Sequence, residues 1–239
     1  MRLSVGGDFR FCSHRDTMRA IERTILRAAV PVRFSQGFNP RPILSLPCPR
    51  PLGIATEDDP LVVTINPLAK GEMTGDVLLE KLNIAAPAGV RFISATKYPG
   101  KIKPQPQKVT YRLDLPTDES AGRDNNENPS IADRIDQLSQ KAQWKVERKG
   151  KPTRRGQREP SKTLDLKGLV ENLALTGSAV EFTLFIGCGS SARPGEVLEL
   201  IKLNNATNLA RLLRTKVHIE PDYKTSYISA STEADGKNK

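Results

Sequence analysis

Two histidines, His14 and His218, and three cysteines, Cys12, Cys48 and Cys188, confine the available proton-transfer and nucleophilic chemistry almost entirely to one place. In the run CSHRD, Cys12, His14 and Asp16 are alternate residues and would share a face of an extended chain. A nucleophile with its base needs partners that converge from different elements, whereas these three are neighbours beside a predicted helix start. The simpler reading has His14 hydrogen-bonded to the loop around Gly37 and Asp16 capping the helix or pairing with an arginine. The cysteines are odd in number and never paired as CxxC, so spacing encodes neither a disulfide framework nor a clustered metal site. Cys48 and Cys188 read as small buried residues. The phosphate, dinucleotide, zinc-protease and nucleophile-elbow signatures are absent. No catalytic residue, metal ligand or cofactor is assigned.

Arginine carries the more specific signal. Residues 1–50 hold nine cations, all arginine, against three acids. Arg15, Arg19, Arg23 and Arg27 recur every fourth residue and so line one side of a helix. Like charges at that spacing repel by a few tenths of a kcal/mol per pair. An anion lying over the stripe would relieve that repulsion, and the guanidinium fork suits phosphate. A second basic run, from Lys145 to Arg158, has seven cations and one acid, Glu147. Lys145, Arg148, Lys149, Lys151, Arg154, Arg155 and Arg158 are its candidate phosphate contacts, with a solvated hairpin as the competing reading. Between the helix and a proline-rich stretch lies SQGFNPR. Its Ser35, Gln36, Gly37, Phe38, Asn39, Pro40 and Arg41, with His14 and Asp16, form the candidate binding loop, in which Gln36 and Asn39 offer directional donors and acceptors.

The elements that must position these residues follow from periodicity. Leu3/Val5 and Phe9/Phe11 alternate around Gly6-Gly7, predicting a first strand bulged over residues 2–11. Met18, Ile21, Ile25 and Ala28 recur at helical spacing over 16–29, with Ser13 and Asp16 able to close the first turn. Prolines at 31, 40, 42, 47, 49 and 51 then forbid a helix and hold each preceding residue extended. Further strands are predicted at 61–65, 90–95, 109–115, 145–148, 164–170, 179–186 and 217–219. Helices are predicted at 74–82, 131–139, 194–201 and 206–213. The order predicts an α+β protein of two split βαβ, or ferredoxin-like, units. The first spans 1–98 and the second 108–222, joined by a linker-like segment 99–107. Polar inserts near 116–130 and 149–161 and a frayed tail from 223 to 239 lack enough apolar residues to pack.

With 239 residues, a net charge of +10 and 37% hydrophobic residues, the chain is large enough for a core without disulfide or metal staples. The sequence has neither an apolar leader nor an uncharged run long enough to span a bilayer, so a soluble, cytoplasmic protein without membrane partners is expected.

The segment HRDTMRAIERTILRAAVPVRFSQGFNPRPILSLPCPRPLGI resembles the radical SAM-linked domain, domain of unknown function 2344. The resemblance rests on His14 and Asp16, Arg19-Ala20, Arg27-Ala28 and above all Ser35 to Pro40 with Pro42. Fainter echoes run through Leu52-Gly53, Leu82-Asn83, Trp144, Asp165-Leu166 and Pro194-Glu196-Val197-Leu198. The segment after the asparagine-proline turn is richer in proline here than is usual in the family.

The resemblance implies a stand-alone member of a family whose companions carry a CxxxCxxC iron-sulfur motif, which this chain lacks, and whose surroundings include RNA-processing and ribosomal genes. Two functions are therefore expected to compete. One is a non-catalytic module binding structured RNA. The other is an accessory or substrate-presenting subunit for a separate radical SAM protein partner. A small-molecule enzyme would need a deep pocket enclosing His14 and Asp16 with Arg19 or Arg41.

Overall fold

The chain opens with β1 (Arg2–Val5), and its alternation is the expected one, with Leu3 and Val5 buried. The strand stops there. Gly7 takes a positive φ of 53°, and Gly7–Phe11 form a 3-10 turn instead of the second half of a bulged strand. Helix α1 (His14–Arg27) begins two residues earlier than periodicity suggested, because Ser13 is its N-cap. The Asp16 amide donates to Ser13 Oγ at 3.2 Å, and that hydroxyl donates back to the Asp16 carboxylate at 2.7 Å. Ile21 and Ile25 on the inner face are fully buried, with Thr17 and Thr24 beside them.

The computed structural model describes residues 1–66, 74–98, 104–116, 129–149, 160–187 and 191–220. Most of the two polar inserts, much of the linker-like segment, Cys188 and the tail lie outside them. So do Lys151, Arg154, Arg155 and Arg158 of the basic run.

After α1 the proline-rich stretch forms β2 (Leu44–Ser45), which pairs with β4 (Val62–Val63) in a two-stranded patch. The central strand of this region is β3 (Ala55–Pro60), ATEDDP, a stretch to which the sequence pattern assigns no strand. Only a short part of the expected strand 61–65 is strand. Next come α2 (Gly75–Ala85), capped by Thr74, and β5 (Val90–Ser94). The Asn83 amide side chain accepts from the Phe92 amide at 2.8 Å and donates to its carbonyl at 2.9 Å. In doing so it covers backbone groups on the outermost strand of the sheet.

The second half runs β6 (Gln105–Asp114), α3 (Ile131–Gln140), β7 (Lys145–Arg148) and β8 (Lys162–Asp165), then β9 (Val170–Thr176) and β10 (Ala179–Phe185). It closes with α4 (Pro194–Leu200), α5 (Ala206–Arg211) and β11 (Leu213–Glu220). β7 and β8 form a separate hairpin. β11 is longer than the 217–219 expected, and the expected strand 164–170 is divided among the end of β8, a 3-10 turn over Lys167–Leu169 and the start of β9.

The fold is α+β, built on one mainly antiparallel seven-stranded sheet in the order β5-β1-β3-β11-β6-β10-β9. The order β11-β6-β10-β9, with α3 and α4–α5 in the crossovers, is that of a split βαβ unit. The first half supplies β5-β1-β3 of a similar unit. Its remaining place is filled by β11, which pairs with β3 in parallel through Leu213↔Ala55 and Arg214↔Thr56. One apolar cluster gathers Leu3, Val5, Ile21, Ile25, Leu82 and Phe92. The larger one gathers Tyr111, Phe182, Ile135, Val197 and Trp144, whose indole N–H donates to the Leu138 carbonyl at 2.8 Å. Among the described residues no helix is long and apolar enough to cross a membrane.

Candidate functional site

Where β3 meets β11 the sheet carries a buried ionic cluster. Arg214 on β11 directs Nη2 at the Asp59 carboxylate in a short contact and at the Cys48 carbonyl at 3.1 Å. Its Nη1 lies 3.4 Å from Cys48 Sγ. Asp59 also accepts from Thr56 Oγ1 at 2.7 Å and faces Arg50 Nη1 at 3.4 Å. Side-chain exposure is 1% for Arg214, 4% for Asp59 and 6% for Arg50, so two guanidiniums share one carboxylate out of water.

Burial opposes the Arg214 charge, and Asp59, the foremost of the groups that favour it, helps to hold the guanidinium above its ordinary range. Arg50 is pushed down by burial, which Asp59 opposes and the like charge of Arg214 reinforces. Burial raises the Cys48 thiol and pushes Tyr111 up to about 12, so both are uncharged at neutral pH.

The residues around the cluster converge by simple geometry. In LPCPRP the chain bends at residues 47 and 48 between the prolines, and Leu46, Cys48 and Arg50 all reach the same recess. With Cys12, His14 and Thr17 from the start of α1, and Asp59 from β3, they line a recess of about 10 Å³. That is room for about one water-sized atom. On two of the lining residues, Thr17 Oγ1 and Arg50 Nε are buried with no hydrogen-bond partner among the described residues.

The recess takes in His14 but not Asp16, Arg19 or Arg41, so it is not the deep pocket that an enzyme built on those residues would need. No hydrogen bond is found from His14 to the Gly37 loop, and His14 is exposed at the recess instead. Asp16 stands in the first turn behind the Ser13 cap and pairs with Arg19, and its carboxyl is held low first by the Ser13 hydroxyl and then by Arg19. Among the described residues no group of three or more His, Cys, Asp or Glu is arranged to hold a metal ion.

The predicted loop is a hairpin. Phe34 and Pro42 form a bridge, the Ser35 amide donates to the Arg41 carbonyl at 2.9 Å, and the Arg41 amide donates to Ser35 Oγ at 3.0 Å. Everything from Arg33 to Arg41 is exposed, and Phe38 at the tip is completely so. A Cβ at Gly37 would meet nothing within 4 Å, so the glycine answers no packing need of the chain itself.

The arginine stripe divides. Arg27 donates to the Ala85 carbonyl at the end of α2, and Arg19 pairs with Asp16 at 3.4 Å. Arg15 and Arg23 are exposed and make no hydrogen bond or ion pair with the described residues. In the second basic run Lys145 and Lys149 are exposed, whereas Arg148 is held by Glu196.

A second polar feature lies on the sheet face opposite the α3 core, where alternate residues of β6 emerge. A hollow of about 290 Å³ includes Lys108, Thr110, Thr183 and His218. Thr110 Oγ1 is 3.0 Å from both Thr183 Oγ1 and His218 Nε2, and Lys108 pairs with Glu171 at 2.8 Å. Burial, then Lys216 and Lys108, lower the His218 imidazole below its usual range.

Sequence reasoning found the hairpin and the helix cap but missed Thr17, Arg50, Asp59 and Arg214. The place of Thr17 one turn before Ile21 was an available signal. Arg214 had none, since its partner is 155 positions away.

The fold and these features together define a mixed-sheet α+β protein with a buried arginine–carboxylate junction and a solvent-exposed arginine-rich hairpin. The chain belongs to the family described as uncharacterised protein conserved in bacteria (DUF2344), whose model matches residues 1–194. β11, with Arg214, lies beyond the matched stretch. No curated protein matches the chain.

Proposed function

We propose that this is a non-catalytic RNA-binding module whose contact surface is the hairpin 33–43. The observation that carries the reading is Phe38, wholly exposed at a hairpin tip with the exposed Arg33 and Arg41 on its two arms. An aromatic ring without intramolecular cover is a platform for an unpaired base, and flanking guanidiniums reach the adjoining phosphates. Arg15 and Arg23 add charge without losing an internal partner.

The test is fluorescence anisotropy with labelled hairpin RNA over a salt series. Stacking on an aromatic is worth about 1–3 kcal/mol per base, so Phe38→Ala should weaken binding about 5- to 150-fold. Arg33→Ala with Arg41→Ala should reduce the salt slope by about 1.4, or 0.7 for each phosphate contact to a single strand. RNA affinity unchanged in both variants would overturn the reading.

A second reading, an accessory subunit docking on a separate radical SAM protein, is favoured by Phe34, Ile43 and Ile65. These partly exposed apolar side chains lie along the same hairpin and its neighbouring strand. Its support would be a protein partner retained after nuclease treatment and lost with Phe34→Ser.

A further inference from the structure

We infer that the recess at the start of α1 is a binding site for a phosphate group, one oxygen of which enters between Thr17 and Arg50. This goes beyond the hairpin reading and uses none of its residues. Three observations converge on it.

The first is charge. Arg50 and Arg214 face a single carboxylate, Asp59, and the Cys48 thiol cannot serve as a second anion because burial keeps it protonated. The set therefore carries one uncompensated positive charge in a place nearly closed to solvent, where charges are kept only when paired. A water molecule would fill the space without supplying the missing charge.

The second is hydrogen bonding. Thr17 is 3% exposed and the Arg50 side chain 6%, yet Thr17 Oγ1 and Arg50 Nε have no partner among the described residues. Both residues line the recess, and both groups can donate. An anionic oxygen would accept from both.

The third is position. The recess opens at the N-terminus of the fourteen-residue helix α1, where the peptide dipoles favour negative charge. Ser13 already engages the Asp16 amide and carboxylate on the helix surface. His14, exposed at the recess, is placed to donate to an outer phosphate oxygen. The space of about 10 Å³ admits one oxygen, so the remainder of the group stands at the mouth. A terminal phosphate, with oxygens to spare, suits this better than a diester within a chain.

The experiment uses the full chain, with inorganic phosphate as probe and chloride at matched ionic strength as control, read by thermal shift and calorimetric titration. Wild type should show a saturable response to phosphate alone. Thr17→Val keeps the shape and removes only the hydroxyl, and it should weaken phosphate binding by about 12- to 150-fold, the range of one hydrogen bond to a charged group. Arg50→Gln removes the surplus charge and should abolish the response while leaving the melting temperature in chloride no lower than wild type. If Arg50→Gln fails to fold, Thr17→Val decides the matter alone. No saturable phosphate response in wild type, or one that Thr17→Val retains in full, would overturn the proposal and leave the recess to water.

Two further arms identify the source of the phosphate. RNA bearing a 5′-phosphate that binds more tightly than its 5′-hydroxyl counterpart, with the difference lost in Thr17→Val, supports a chain-borne group. Equal binding of the two RNAs beside an intact inorganic-phosphate response supports the free ion.

Discussion

Arg148 gives Nε and Nη2 to the two oxygens of Glu196, each at 2.7 Å, and Nη2 also reaches the Ser191 carbonyl at 2.9 Å. The paired hydrogen bonds to Glu196 raise the guanidinium above its ordinary range. Glu196 in turn accepts from the Arg193 amide at 2.8 Å and so secures the first turn of α4. A cation so engaged ties the β7–β8 hairpin to α4 and is poorly placed to leave for a phosphate. Both side chains are partly solvated, so Arg148→Ala should cost about 1–2 kcal/mol of stability in urea unfolding. Lys145→Ala and Lys149→Ala, at exposed positions, should stay within about 0.5 kcal/mol. Equal losses in all three would show that the fork to Glu196 contributes nothing. The sequence makes Arg148 one of seven similar cations because its partner lies 48 positions away. Ser13 and Asp16, whose partners are local, were legible at once.

Elements show the same division between local and remote causes. The cap and buried stripe of α1 are written in adjacent residues, whereas β3 is not recognisable as a strand. Its inward residues Thr56 and Asp59 are polar because they meet each other and Arg214, and a register shift against β1 breaks the alternation between them. Pro60 sits at its end, where a missing amide is tolerated. Glycines are readable only in part. Gly89 precedes β5 with φ of 84°, and a Cβ there would stand 2.5 Å from the Gly6 carbonyl oxygen and 3.0 Å from Phe9 Cβ. Gly177, in the β9–β10 turn, has φ of 60° with nothing within 4 Å of an added Cβ. Gly177→Ala therefore meets only the backbone cost, about 1–2 kcal/mol. Gly89→Ala meets that cost and a backbone clash, and its urea midpoint should fall clearly below that of Gly177→Ala. Coincident midpoints would mean that the β1 end yields freely around residue 6.

At the scale of the molecule, one pairing decides whether the chain behaves as one unit or two. Each half has an apolar cluster, the larger of which also takes in Cys48 and Ile54 of the first half, and β11 enters the sheet between β3 and β6, so the last described strand completes the first half. No local pattern announces such a pairing, and a reading by segments naturally ends each unit where its own strands end. The Arg214–Asp59 contact locks the seam, with the Asp58 carboxylate accepting from the Val217 amide at 3.2 Å beside it. Unfolding should then be a single event. Trp144, the only tryptophan, reports the second half, while far-UV ellipticity also reports α1 and α2. The two signals should trace one urea transition in the wild type. Asp59→Ala leaves two buried guanidiniums without a carboxylate and should cost about 3–5 kcal/mol. Because the loss falls on the strand that both halves share, the tryptophan midpoint should drop with the ellipticity, although residue 59 lies far from Trp144 in sequence. A tryptophan transition that stays at its wild-type position while the ellipticity falls would show that the second half holds β11 by itself, and that the seam joins two independently stable bodies.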